Sequence, residues 1–196
     1  MKFVLASHNK KKLAELQSIL GELGVEIVLQ SELGLELEPE ETGTTFAENS
    51  LIKAKAVMEA SGLPAIADDS GLEVDALNGE PGIYSVRWAG EGLNDEQRNE
   101  RLLERMLTVP KEQRGARFVC VAACVFPDGR ELAVRGVCRG TILDEAHGTG
   151  GFGYDPIFCV PEYGCTFGEL DADVKNSISH RARAFTALAS ALGEYL

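Results

Sequence analysis

Residues 3–12 read FVLASHNKKK and place a short apolar run directly before three lysines. The apolar residues at 3–6 predict a buried strand, and the leucine spacing from 13 to 23 predicts a helix that Gly24 ends. A helix N-terminus is locally positive because its first N–H groups lack partners inside the helix. Lys10, Lys11 and Lys12 therefore lie where cations are unfavourable unless an anion is bound between them. The pattern is compatible both with a bound phosphate and with lysines that are simply exposed to solvent at a small energetic cost.

Length and charge limit the classes of function. The chain has 196 residues, enough for one domain or for one domain with two lobes. Its formal net charge of −12 argues against binding to a nucleic-acid polymer, which needs many Lys and Arg side chains to neutralise phosphates. A small phosphorylated ligand is compatible with this charge, because a local lysine cluster and a cation held by carboxylates can neutralise it.

The cysteines and the N-terminal residues predict the compartment. Five cysteines, an odd number with no C-x-x-C pair, indicate neither a zinc ribbon nor a complete disulfide framework. No targeting or membrane-spanning segment is predicted, since the apolar run at the start is only four residues long. We therefore expect a cytoplasmic protein without a membrane partner.

The order of predicted elements indicates the fold class. A second strand is predicted at 25–29, and Thr45 with Glu48 forms a capping box that opens a helix ending near Gly62. A third helix is capped by Asn94 or Asp95, and a last helix begins near Ser179. Strands at 118–126 and 131–137 flank a turn sequence and predict an antiparallel hairpin. We expect an α/β fold with a mixed central sheet flanked by helices.

Two adjacent carboxylates follow a brief apolar strand predicted at 64–67. Asp68 and Asp69 suit Mg²⁺, which prefers oxygen ligands, and a carboxylate can also polarise an attacking water. The sequence Asp-Asp-Ser-Gly is also typical of a turn, and taken alone the turn is the better interpretation. If the strand continues instead, the two side chains must point to opposite faces.

Residues 148–153 read GTGGFG and match the letters of the dinucleotide fingerprint. That fingerprint must open a helix after a strand, whereas Pro156 and Pro161 forbid a regular helix here. The glycines still allow the backbone to approach a flat or charged ligand closely. A flexible surface loop is one interpretation of this segment. The aromatic residues Phe152 and Tyr154 favour the other, in which the segment forms a surface on which a base stacks.

A third cluster of cations lies near the last helix. His180 and Arg181 occupy its first turn, with Ser179 as the predicted cap and Lys175 just before it. Arginine at this place can donate to a carbonyl or phosphate oxygen, although surface charge is the more common role of a single Arg.

Together these motifs resemble the inosine triphosphate pyrophosphatase family. The matching segments occur in the family's order and span residues 7 to 181: Ser7-x-Asn9-x-x-Lys12, residues 40–49, residues 67–71, residues 150–156 and Ser179-His180-Arg181. The resemblance implies hydrolysis of deaminated purine nucleoside triphosphates to the monophosphate and pyrophosphate. It also implies Mg²⁺ as the cofactor, a homodimer, and a single domain over residues 1–196 with the nucleotide site in a cleft between two lobes.

The resemblance also implies a role for each matching residue. Glu41 and Asp69 would hold the metal, and Asp69 would accept the proton of the attacking water. The substrate would be bound by residues of several segments: Ser7, His8, Asn9, Lys10, Lys11, Lys12, Lys53, Ser70, Phe152, Gly153, Tyr154, Asp155, Lys175, His180 and Arg181. Ser7, Asn9 and Lys12 would contact the polyphosphate, with Lys53 nearby. Lys10 and Lys11 fall at variable positions of the motif, and His8 stands where many relatives have glycine.

In the same resemblance, Phe152 would stack on the base, and Asp155, His180 and Arg181 would read its edge. Arg181 suits a purine with a carbonyl acceptor at position 6, whereas adenine would present a donor to a donor. Two other functions stay open: a pyrophosphatase for other modified-base nucleoside triphosphates, and a noncatalytic nucleotide-binding module.

Overall fold

A computed structural model describes residues 1–195 as an α/β fold with a mixed sheet, as predicted. The seven strands found there have the order β2-β1-β3-β4-β5-β6-β7. The strands are β1 (Lys2–Leu5), β2 (Glu26–Leu29), β3 (Ala65–Val74), β4 (Gly115–Val125), β5 (Glu131–Ile142), β6 (Phe158–Val160) and β7 (Cys165–Thr166). The helices are α1 (Lys10–Leu20), α2 (Phe46–Ser61), α3 (Asp95–Met106), α4 (Ala172–Ile178) and α5 (His180–Gly193). Within residues 1–195, no helix has the length and apolar character needed to cross a membrane.

The first strand is parallel to both of its neighbours. β1 pairs with β2 from Lys2 opposite Glu26 to Leu5 opposite Leu29, and Val4 lies opposite Ala65 of β3. Parallel neighbours require long crossover connections, which here contain α1 and α2. The last strands are antiparallel, β5 with β6 and β6 with β7.

The chain forms two compact units, each with its own core. The first contains residues 1–69, Cys120–Gly136 and the segment from Arg181 onward, and its core joins β1 to α1 and α5. The second contains Ser70–Val119 and Val137–His180, with Phe118, Phe158 and Phe167 at its centre. Ring centroids in this aromatic cluster lie 4.6 to 5.7 Å apart. The single domain over residues 1–196, like the cleft, stays a prediction.

The strand at Asp68 does not end in a turn, and that interpretation was wrong. β3 continues through Asp68, Asp69, Ser70 and Gly71 to Val74. Turn-forming residues are accommodated here because the surrounding structure satisfies the two carboxylates on opposite faces of the strand. The predicted opposite orientation of Asp68 and Asp69 is therefore confirmed.

The predicted hairpin is confirmed as β4 and β5, but its strands are longer than the predicted segments at 118–126 and 131–137. β4 and β5 are neighbours in the sheet, and the 126–130 turn joins them with a bond from the Phe126 N–H to the Arg130 carbonyl. β5 extends past 137 to Ile142 and passes close to β6 at Gly140. A Cβ at this glycine would lie 2.4 Å from the Cys159 carbonyl oxygen, so only glycine fits without rearrangement.

The sequence analysis missed the short helix α4 (Ala172–Ile178). Ser179 directly follows α4, and its N–H donates to the Lys175 carbonyl at 2.9 Å. The last helix begins at His180, as predicted.

Candidate active site

The loop before α1 satisfies the first N–H groups of the helix with its own side chains. The Asn9 side chain accepts from the N–H groups of Lys11 and Lys12 at 2.9 and 3.2 Å. The Asn9 N–H in turn donates to Ser7 Oγ at 3.1 Å. Lys10 and Lys11 are exposed to solvent. The phosphate-binding role of this loop stays a prediction.

His8 lies in the same loop and contacts the segment after β2. Its Nε2 is 3.0 Å from Gln30 Nε2, and its Nδ1 is 3.6 Å from a carboxylate oxygen of Glu36. Gln30 Nε2 also donates to the Leu37 carbonyl, so it is the donor in the pair and His8 Nε2 accepts.

Lys12 differs from the two preceding lysines because its side chain reaches β3. Its Nζ donates to both carboxylate oxygens of Asp68, at 2.8 and 2.9 Å. Arg181 Nε lies 3.6 Å from the same carboxylate. Burial alone would raise the pKa of Asp68, but Lys12 and Arg181 outweigh it and hold that pKa below its ordinary value. Asp68 is thus a buried anion that fixes Lys12 and Arg181.

Asp69 faces a different group of side chains, contributed by α2 and the loop before it. Lys53 Nζ donates to Glu41 Oε1 at 2.8 Å and to Asp69 Oδ1 at 3.2 Å. Asn49 Nδ2 donates to Asp69 Oδ2 at 3.3 Å. Asn49 and Lys53 are four residues apart on α2 and so share one face of the helix. The structure therefore brings together the predicted residues Glu41, Lys53 and Asp69.

The start of α2 places Glu41 beside this group. Thr45 caps the helix as predicted, its hydroxyl accepting from the Glu48 N–H at 3.1 Å. The Gly43 N–H donates to Asn49 Oδ1 at 2.9 Å. A Cβ at Gly43 would lie 2.6 Å from that oxygen, so glycine permits the close approach of the loop to the helix.

The surroundings of Asp69 favour its neutral form more than water does. Burial raises the pKa of Asp69 above its ordinary value, and the nearby Glu41 adds to this effect, against the opposing influence of Lys53. The pKa of Lys53 is raised in turn, because Asp69 and Glu41 outweigh the effect of its own burial. A carboxylate with a raised pKa is a suitable proton acceptor.

Glu41 and Asp69 form a donor set that fits Mg²⁺. Both offer hard oxygen ligands to one cation, here the Lys53 ammonium. Residues 1–195 contain no group of three or more His, Cys, Asp or Glu side chains arranged to hold a metal ion. Mg²⁺ does not need such a cage, because one or two carboxylates, waters and substrate phosphates complete its shell.

The second unit holds the predicted base-stacking residues. The Phe152 side chain is largely exposed, at 59% of its full surface, while its backbone N–H donates to Asp155 Oδ2 at 2.7 Å. Lys175 forms an ion pair with the same buried carboxylate. Lys175 Nζ also lies 4.7 Å from the centroid of the Phe152 ring. Asp155 therefore fixes both the loop and the lysine.

Three further residues predicted to bind the substrate lie in this unit and are buried or half-buried. Tyr154 does not form the stacking surface with Phe152 that the sequence analysis predicted, because it is 4% exposed and its hydroxyl donates to the Ser85 carbonyl at 2.8 Å. His180 is buried and stacks on Phe118 with ring centroids 4.9 Å apart. Ser70 follows Asp69 in β3 and is half-buried.

Two contributors to these groups have functions that the sequence analysis did not predict: it gave Asn49 no role, and it considered Asp68 only as a ligand for Mg²⁺ beside Asp69. Asn49 is completely buried and binds both Gly43 and Asp69, and Asp68 holds Lys12 and Arg181. The i, i+4 spacing of Asn49 and Lys53 was a signal that they share one helix face. The pairing of Asp68 with Lys12 joins residues 56 positions apart, and the local sequence carries no signal for it.

Comparison with known proteins places the chain in a family of similar length and fold. Residues 3–191 match the model of the Ham1 family. A dITP/XTP pyrophosphatase from Haemophilus influenzae is 50% identical over 193 residues, covering 97% of this chain and 98% of that protein. A protein of the same name from Desulforamulus reducens is 52% identical over 184 residues, covering 94% of this chain and 92% of that protein.

Solved structures show the same fold. A HAM1 protein from Coxiella burnetii superimposes with a TM-score of 0.92 at 43% identity, and the match covers 99% of each chain. A nucleoside-triphosphatase, also called dITP/XTP pyrophosphatase, from Mycobacterium abscessus gives a TM-score of 0.81 at 45% identity over 96% of this chain and 98% of that chain. By family model, sequence and fold alike, the chain belongs to the Ham1 family.

Proposed function

We propose that this protein hydrolyses deaminated purine nucleoside triphosphates, namely ITP, dITP and XTP, to the monophosphate and pyrophosphate, and so removes noncanonical purines from the nucleotide pool. The observation that carries the proposal is the group formed by Glu41, Lys53 and Asp69, in which two carboxylates and an ammonium converge. Relatives named dITP/XTP pyrophosphatase, about half identical over nearly the whole chain, support the choice of substrate.

Asp69 is the proton acceptor in this proposal. The water oxygen forms a bond to the α-phosphorus, its proton passes to Asp69, and the bond to the bridging oxygen of pyrophosphate breaks. Lys53 holds Asp69 in place, because its ammonium binds both this carboxylate and Glu41. Lys12 and Lys53 each offer positive charge to the polyphosphate, and bonded carboxylates fix the position of both.

Mg²⁺ would be held by Glu41 and Asp69, and when bound it would neutralise the charge that develops on the departing pyrophosphate. In the structure these two carboxylates are held by Lys53, whose ammonium lies 2.8 Å from Glu41 and 3.2 Å from Asp69.

The base would be recognised by the exposed Phe152 ring and by donors at its edge. Phe152 offers a flat apolar face on a backbone that Asp155 fixes. Lys175 lies against this ring, and His180 and Arg181 are the proposed donors to a carbonyl at position 6 of the purine. Adenine carries an amino donor there, so its binding would leave donors unpaired, and we expect strong rejection of ATP.

A nucleotide panel tests this proposal. Pyrophosphate release is measured from ITP, dITP, XTP, dATP, ATP and a methylated pyrimidine triphosphate, each with Mg²⁺ and with EDTA. We expect rapid release from the first three with Mg²⁺ and little from the adenine nucleotides. Comparable turnover of ITP and ATP would contradict the specificity. Turnover confined to a modified pyrimidine triphosphate would favour the other substrate class, and tight nucleotide binding without product would favour a noncatalytic module.

We also propose a cytoplasmic homodimer, on the strength of the family resemblance alone. Sedimentation equilibrium of the purified protein tests its assembly. A mass near twice that of the 21.1 kDa chain is expected, and a monomer at micromolar concentration would contradict the dimer.

A further inference from the structure

Two side chains of α3 bind both peptide groups of one residue in the glycine-rich loop. The Gly153 N–H donates to Asp95 Oδ2 at 2.7 Å, and Asn99 Nδ2 donates to the Gly153 carbonyl at 3.1 Å. We infer that Asp95 and Asn99 are positioning residues for base recognition, because they set the orientation of the neighbouring Phe152. The inference rests on the proposed function, in which Phe152 stacks on the base.

The two residues are arranged to act as a pair. Asp95 and Asn99 are four residues apart and lie on one face of α3. One accepts from the N–H and the other donates to the carbonyl, so together they fix Gly153 at both of its polar groups. Gly153 has φ +59, a left-handed conformation that glycine adopts without strain. The bonded peptide follows Phe152 directly and so limits the directions in which its side chain can point.

The burial of Asn99 gives independent support. Its side chain is only 6% exposed, and within residues 1–195 its Oδ1 has no hydrogen-bond partner. An unpaired buried oxygen is unfavourable, and an apolar residue of similar size would avoid it. The structural reason for an asparagine at this position is therefore the hydrogen bond from its Nδ2 to the Gly153 carbonyl.

The loop also needs these bonds because the space beside it is open. A cavity of about 630 Å³ separates parts of α3 from the loop, with Asp95, Asn99 and Gly153 among its lining residues. The Phe152 ring is 59% exposed, and the Lys175 ammonium lies 4.7 Å from its centroid. Further anchors of the loop include Asp155, which binds the Phe152 N–H, the Lys175 ammonium against the Phe152 ring, and the buried Tyr154. Loss of the α3 bonds would allow the Phe152 ring to tilt while these anchors keep the loop folded.

The expected consequence is a defect in base binding rather than in the chemical step. Within residues 1–195, the side-chain hydrogen bonds of Asp95 and Asn99 run to Arg98 and Gly153, whereas those of Asp69 run to Lys53 and Asn49. A tilted Phe152 ring stacks less well on the base and shifts the edge of the base away from its hydrogen-bond donors. Base–aromatic stacking contributes roughly 5- to 150-fold in affinity. KM should therefore change more than kcat, and discrimination between ITP and ATP should fall.

A double-mutant design tests the inference. Asn99→Leu and Asp95→Ala are each made in the wild-type protein and in a Phe152→Ala background, with Glu96→Ala as the control. Glu96 neighbours Asp95 in the same acidic first turn, so its loss reproduces the change in charge at the helix start. Asp95→Asn, which keeps an acceptor oxygen, is the rescue variant. KM and kcat are measured for ITP and ATP, together with the melting temperature.

We expect Asn99→Leu and Asp95→Ala to raise KM for ITP roughly 10-fold, with kcat within about 3-fold of wild type. The ratio of kcat/KM for ITP to that for ATP should fall by a similar factor. Neither variant should add to the defect of Phe152→Ala, because both act through that ring. Glu96→Ala should match wild type, and Asp95→Asn should recover most of the loss.

Other outcomes separate this inference from the proposed function. If the wild-type protein releases no pyrophosphate from ITP, the proposed function fails. If wild type is active but the α3 variants match it, or their defect persists undiminished in the Phe152→Ala background, the inference is overturned and the function stands. If Asn99→Leu does not fold, the exposed Asp95 and its rescue variant decide the question by the same criteria.

Discussion

Asp68 and Asp69 are adjacent in β3, yet their environments shift their pKa values in opposite directions. Asp68 is held ionised by Lys12 and Arg181, whereas burial and Glu41 raise the pKa of Asp69. A strand makes this possible because consecutive side chains point to opposite faces. One carboxylate thus supports two cations of the proposed site, and the other is suited to accept a proton.

The two aspartates should therefore respond oppositely to removal of their charge. The pKa of Asp68 is lower in the folded protein than in the unfolded chain, so its ionised form stabilises the fold above about pH 4, and this is lost as pH falls further. The pKa of Asp69 is raised, so its ionised form opposes folding at neutral pH. Without metal at pH 7.5, we expect Asp68→Asn to lower the free energy of unfolding by about 2 kcal/mol, because the Lys12 ammonium loses the charge of its hydrogen-bonding partner.

Asp69→Asn should raise the free energy of unfolding by about 0.5–1 kcal/mol under the same conditions. Urea denaturation in EDTA measures both variants. A fall in the stability of Asp69→Asn as large as that of Asp68→Asn would show that the two carboxylates do not differ as their contacts indicate.

Glu40 and Glu41 provide a second matched pair. Glu41 binds Lys53 beside Asp69, whereas the neighbouring Glu40 is exposed. We expect Glu41→Gln to raise the Mg²⁺ concentration for half-maximal activity by roughly 10-fold or more. Glu40→Gln should leave it within about 2-fold, since an exposed charge acts only through a screened field. Both variants are measured by Mg²⁺ titration of pyrophosphate release. Equal effects of the two substitutions would contradict the assignment of Glu41 as a metal ligand.

At the scale of the elements, α2 organises the group around Asp69. It contributes Asn49 and Lys53 from one face, and its capping box fixes the preceding loop. Thr45→Ala removes the hydroxyl that accepts from the Glu48 N–H and should cost about 1 kcal/mol of stability. Thr42→Ala, three residues earlier in the loop, is the control and should cost less than about 0.5 kcal/mol. The difference is read from urea midpoints, and equal midpoints would contradict the role of the cap.

Local signals in the sequence were sufficient for some elements and misleading for others. The capping box at Thr45 and the strand and helix at residues 3–20 follow from spacing and cap chemistry, which act over a few residues. Local signals do not predict the continuation of β3 through Asp68 to Gly71. Residues of these types favour turns, and here distant partners such as Lys12 bind the carboxylates within the strand. The seven-residue α4 is too short to show a clear period.

The same distinction holds for the site. Glu41, Lys53 and Asp69 were predicted through the family resemblance, and the structure places them in contact. The pairing of Lys12 with Asp68 and the bonds from α3 to Gly153 join residues more than 50 positions apart. Periodicity and local motifs carry no information on such pairs, which depend on how distant elements pack.

At the scale of the whole molecule, an acidic chain presents a few cations in fixed positions. The net charge of −12 opposes nonspecific binding to polyanions, while Lys12, Lys53 and Lys175 are each held by a carboxylate. Each pair keeps a lysine positioned before a ligand arrives, which lowers the ordering cost of binding. We expect this arrangement to favour small phosphorylated ligands over nucleic acids.

The central claim is that Asp69 accepts the proton in Mg²⁺-dependent hydrolysis of deaminated purine nucleoside triphosphates. Pyrophosphate release from ITP by wild type and by Asp69→Asn, at saturating ITP and Mg²⁺, tests it most directly. We predict that the variant keeps the wild-type circular dichroism spectrum and loses activity by roughly 100-fold or more, as expected for loss of a general base. Retention of more than about one tenth of the wild-type rate by the folded variant would contradict the claim.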